Sequence, residues 1–194
     1  MEKNNTKKNT KRKITKSEMR RILADAEFDV VSNDNALLFY RCSRTGQELT
    51  LAKYGDRDSI SFDMLSTMKQ SARNFLEKYW IIIEDIYIPN SDVVVTVEDV
   101  YEYLGLSNVY KEINKCFDSV DNLEYLLLET DNETFDKQVE AMDKKMFNQL
   151  VALAIELFNA KKLVDQNKIM LIKSYAGDEY LFEQETKKKK STKK

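Results

Sequence analysis

Apolar and polar positions alternate with two different periods along this chain, and the change of period divides it. Residues 15–28, TKSEMRRILADAEF, open with Thr15 and Glu18 spaced as a capping box, and Met19, Ile22 and Leu23 fall on one side of the short helix that follows. ALLFYRC and QELTLAK then read as two strands about the turn SRTG, where Gly46 supplies a positive φ, so a β-hairpin is expected. YGDRDSIS reads as a loop. Ser61 caps a helix expected to run to about Tyr79, with Leu65, Met68, Ala72, Phe75, Leu76 and Tyr79 at helical spacing. WIIIEDIYI is rich in aromatic and β-branched residues and too short for a buried helix, so it is expected as a strand, one that could pair with the hairpin. Pro89, in IPNSD, ends that strand.

Beyond Pro89 the period is helical throughout. Thr96 caps a helix closed by Gly105, Ser107 opens a second through Phe117, and Val120 to Glu129 forms a third. From Asp131 to about Lys162, Phe135, Val139, Met142, Met146, Leu150, Leu153 and Leu157 step by three and four, which predicts one long amphipathic helix. Its spacing favours packing inside the chain and also allows a homodimer seam over 135–157. Asp165 caps a last helix, NKIMLIKSY, ended by Ala176-Gly177. The expected fold class is α+β: an N-terminal module over 17–90 with a β-hairpin, a strand and helices, followed by an all-α module over 91–182.

Charge adds two flanking segments. The formal charge of the chain is -2, yet residues 1–16 hold seven basic side chains against Glu2, and residues 187–194 hold six lysines. Residues 17–186 keep 18 basic against 32 acidic side chains, a formal charge of -14. The basic arm over 1–16 and the Lys-rich tail over 183–194 have too little apolar area to order themselves and are expected to be disordered, with nucleic-acid contact through them left open. No apolar run is long enough for a membrane span and no secretory leader pattern opens the chain, so a cytoplasmic location is expected.

The candidate chemistry is sparse. Without any histidine the usual general base, zinc ligand and triad member are missing. The four glycines are isolated, so no phosphate-cradling loop is built. Cys42 and Cys116 lack the spacing of a metal knuckle and are expected as reduced, buried thiols. Asp56 and Asp58 in GDRD, with Asp63 beyond, offer hard oxygens without the ligand pattern of a calcium loop. Glu84 and Asp85, adjacent in a strand, should point to opposite faces. No catalytic residue, metal site or cofactor is expected, and the chain reads as non-enzymatic.

Two binding readings remain. TVEDVYEYLGLSNVY, residues 96–110, resembles the helix-turn-helix of excisionase-like and MerR-like DNA-binding proteins: Thr96 as cap, Val100 and Leu104 inward, Gly105 at the turn, Ser107 as the next cap, then Val109-Tyr110. It departs from that pattern at Tyr101, where the family has a small residue, and in having only Asn108 between Ser107 and Val109. The resemblance implies DNA contact through Asn108, Lys111, Asn114 and Lys115. In the second reading a carboxylate-rich surface over Asp118, Asp121, Glu124, Asp131, Glu133 and Asp136 meets a basic patch on a protein partner. The segments CSRTG, ISFDMLSTMKQSARNFLEKYWIIIED, VTVEDVYEYLGL and VALAIELFNAKKLVDQNKIMLIKSYAGDEYLF, spanning about residues 36–182, together resemble small accessory or structural proteins of tailed phages of low-GC bacteria. That resemblance implies a partner in the host machinery or the virion, in host cytoplasm or particle, and no activity.

Overall fold

The computed structural model describes residues 14–89, 93–117 and 120–183, and its fold is α+β. Helix α1 (Lys16–Ile22) is held by the expected reciprocal cap between Thr15 and Glu18, then tightens into a 3-10 turn (Leu23–Asp25). The chain next enters strand β1 (Glu27–Ser32), which the helix-period reading of this segment passed over. Its burial alternates cleanly, with Phe28, Val30 and Ser32 inward, and it forms the centre of the main sheet.

The expected hairpin is present as β2 (Leu38–Arg41) and β3 (Glu48–Leu51), with Gly46 at φ 75° in the turn. Two expectations for the sheet are corrected. Residues Arg57–Ser61, read as loop, form strand β4 on one edge of the sheet. Only Ile60 of this strand is buried, so its sequence offered no apolar alternation. Strand β5 (Ile81–Tyr87) pairs antiparallel with β1 and not with the hairpin, giving the order β4-β1-β5 beside a separate two-stranded sheet.

Ser61 caps α2 (Phe62–Ser71) as expected, but the helix stops short of Tyr79. Thr67 and Ser71 bond back to the carbonyls of Asp63 and Thr67, Ala72 leaves helical geometry, and a single turn α3 (Asn74–Glu77) follows. Tyr79 then takes φ 58°, a left-handed conformation unusual for an aromatic residue. Its carbonyl accepts from Asn33 Nδ2 at 3.0 Å and its hydroxyl donates to Asp143 at 2.8 Å.

The helical half follows as α4 (Val97–Tyr103), α5 (Ser107–Phe117), α6 (Leu123–Leu128), α7 (Asn132–Ala141), α8 (Lys144–Asn159) and α9 (Gln166–Ala176). The long helix expected over Asp131–Lys162 is in fact α7 and α8. Met142 and Asp143 are extended, and Asp143 caps α8 by accepting from Met146 N at 2.8 Å. The stripe of Phe135, Val139, Met146, Leu150, Leu153 and Leu157 is buried inside the chain, as the favoured intramolecular packing requires, and is not open as the alternative homodimer seam over 135–157. One continuous core runs from Met19 to Phe182 and joins sheet and helices. Among the described residues no helix is long and apolar enough to cross a membrane.

Candidate functional site

The acidic face of the sheet begins with an irregularity in β5. Asp29 of β1 lies opposite Asp85, whereas the next residue, Val30, lies opposite Ile83, so Glu84 is the extra residue of a β-bulge. Glu84 and Asp85 therefore do not point to opposite faces as strand alternation predicts; both are exposed and line one shallow depression of about 460 Å³ with Asp29, Arg57 and Asp58. Arg57 is the one cation in that lining, and it is committed. Its Nε and Nη2 donate to the two oxygens of Glu84 at 2.7 and 2.9 Å, and the carboxylate raises the guanidinium pKa further. Asp29, Asp58 and Asp85 are left as a concentration of negative charge. Glu27 extends it along β1, where it lies opposite the exposed ring of Tyr87.

Among the described residues no three carboxylates or thiols stand together as a metal site. The carboxylates of GDRD and Asp63 serve separately: Asp56 accepts from the backbone of Ala52 and Lys53, Asp58 from Ser59 N, and Asp63 pairs with Arg44 at 3.1 Å. Cys42 and Cys116 are free and buried, and burial pushes the Cys116 thiol up to about 12.

The first helix of the pair at 96–117 is built as its capping signals require, whereas Ser107, expected as the cap of the second, is itself the first residue of α5. Thr96 and Asp99 cap α4 reciprocally, Gly105 takes φ 72° in the turn, and Leu106 N donates to Tyr101 O at 2.8 Å. Tyr101, the departure from the DNA-binding pattern, is fully buried, and its hydroxyl accepts from Ile83 N at 3.2 Å. That bond satisfies a ladder group on the free edge of β5 and fastens the helix pair to the sheet. Val109, Ile113 and Cys116 form the buried side of α5, while Asn108, Lys111, Asn114 and Lys115 are all exposed on the other. Lys115 lies 3.8 Å from Glu112.

The carboxylates expected as a protein-binding surface are more dispersed. Glu124 pairs with Lys162, Asp131 caps α7 through Thr134 N, and Asp136 accepts from the Tyr175 hydroxyl. Asp121 lines a polar cleft with Lys53, Tyr54 and Asn122, Glu133 is exposed, and Asp118 lies outside the described residues. The denser acidic face, on the sheet, was missed because its members come from three strands. The one available cue was the recurrence of carboxylates at Asp29, Asp58 and Glu84-Asp85 within strand-length segments. No protein-family model, curated protein or solved structure matches the chain.

Proposed function

We propose that this chain is a non-enzymatic binding protein of the kind tailed phages encode, and that it engages a basic surface on a host or virion protein through the acidic face of its sheet. The supporting observation is the Asp29–Asp85 pairing across β1 and β5. Like charges directly opposite in a ladder destabilise a sheet by about 0.2–1 kcal/mol, and here the only cation in the depression is held by Glu84. An arrangement that costs the free protein energy is offset when a cationic surface replaces the missing counter-charge. Such a surface is the kind that proteins present to nucleic-acid phosphates.

The test is calorimetric titration of the full chain with protamine, an arginine-rich probe, across a salt series, alongside an Asp29→Asn/Asp85→Asn variant. The expected result is a double signature: binding at least tenfold weaker and a Tm raised by about 1–4 °C, as repulsion is removed. Equal binding by the two proteins refutes the reading.

The exposed row of Asn108, Lys111, Asn114 and Lys115 on α5 supports a second reading, DNA binding aided by the basic arms. Lys111→Ala/Lys115→Ala should then weaken duplex binding and flatten its salt slope by about two units, measured on the full chain. If the slope is unchanged, these lysines do not neutralise phosphates.

A further inference from the structure

The hairpin ends the fold in an open edge. Cys42 N donates to Gln47 O at 2.8 Å, so by antiparallel alternation Tyr40 and Leu38 bond inward to β3, and the N–H and C=O of Phe39 and Arg41 point away from it. Among the described residues, the sheet holding β2 has two strands, and no backbone group bonds to Phe39 or Arg41 on that outer side. Their side-chain face is apolar where exposed edges are normally protected: Leu37 is 65% exposed and Phe39 55%. β2 carries no proline, lysine or bulge, and its one charge, Arg41, stands at the end beside Glu48 at 3.7 Å.

We propose that β2 pairs with β2 of a second copy of this chain, antiparallel and centred on Phe39. The strand is its own complement in this register. Phe39 meets Phe39 across the two-fold axis, exchanging both ladder bonds, and Leu37 lies against the aliphatic stem of Arg41 on either side. The two Arg41 side chains stand four residues apart along the ladder, about 14 Å, so no like charges oppose. The pairing joins two hairpins into one four-stranded sheet. An edge this short buries less than the roughly 1,200–2,000 Å² of a permanent interface, so the dimer is reversible and concentration-dependent.

A register-specific disulfide trap on the full chain tests this. Hydrogen-bonded antiparallel partners have Cα atoms about 5.5 Å apart, within disulfide reach, so Phe39→Cys should crosslink to dimer under mild oxidation at micromolar concentration. Leu37→Cys alone and Arg41→Cys alone should not, because each faces the other position across the axis. In sedimentation velocity the unaltered chain should pass from monomer to dimer with concentration, and Phe39→Lys should remain monomeric with an unchanged circular-dichroism spectrum. A chain that is monomeric throughout overturns the proposal, as does equal crosslinking at 37, 39 and 41. Monomers whose Phe39→Lys variant loses only a different protein partner overturn it as well.

Discussion

Lys168 is 2% exposed, and its ammonium donates to the carbonyls of Leu127 at 2.9 Å and Leu126 at 3.3 Å, 5.4 Å from the centre of the Phe135 ring. It closes the carbonyl end of α6, where a cation is favoured, while burial pulls its pKa down. Lys168→Met should keep the volume, take this donor from the Leu127 carbonyl while Leu126 O keeps that of the Thr130 hydroxyl, and cost about 1–3 kcal/mol in urea unfolding. Tyr54, Tyr79 and Tyr101 are the opposite case: burial raises each hydroxyl pKa, that of Tyr54 from 10.0 to about 12. The folded state therefore holds these protons more tightly than the unfolded chain. Their stabilisation is complete below pH 10 and is lost as pH rises through the folded values. Tm should fall steeply between pH 10 and 12. Tyr54→Phe, which removes the acceptor for Leu123 N, should lower Tm at neutral pH and soften that alkaline fall. None of these partners was legible in the sequence, because each lies between 18 and 69 residues away. The caps of Thr15, Ser61, Thr96 and Asp165 were legible because donor and acceptor lie within three residues.

At the scale of elements, periodicity located buried faces better than it located their ends. The steps Val139, Met142 and Met146 run across the break between α7 and α8, since a stripe counted in threes and fours does not register one extended pair. The local cue was Asp143, three residues before the amide it caps. Asp131 caps α7 in the same way from an exposed position, which permits a comparison. Asp131→Ala should lower the urea midpoint only slightly, whereas Asp143→Ala, which also strands the Tyr79 hydroxyl, should cost about 2–4 kcal/mol in the same urea experiment. Equal losses would mean that the Tyr79 bond contributes nothing. β1 and β4 escaped for opposite reasons: the first followed a helix without a break in composition, and the second buries a single residue. The bulge that brings Glu84 and Asp85 together is a register shift, visible only once β1 and β5 are paired.

Across the whole molecule, one core joins the halves on either side of Pro89, and hydrogen bonds link the helical half to the first half at several points. Leu123 N meets Tyr54, Tyr101 meets Ile83, and Lys145 donates to Glu77 O. The α+β class was legible because the change from period two to helical period survives every local error in boundaries. The acidic sheet face was not, because it is assembled by topology from residues that are unremarkable one at a time. The left-handed turn at Tyr79 also bears on how the protein is made. Its hydroxyl partner, Asp143, lies 64 residues later, and Asn33, which holds its carbonyl, also reaches Met146. On the ribosome, residues up to Pro89 emerge before the side chains that brace the left-handed turn at Tyr79 have been synthesised. The nascent chain should therefore generate its folding force when α8 clears the exit tunnel and not when Pro89 does, a timing that arrest-peptide measurements at successive lengths can read.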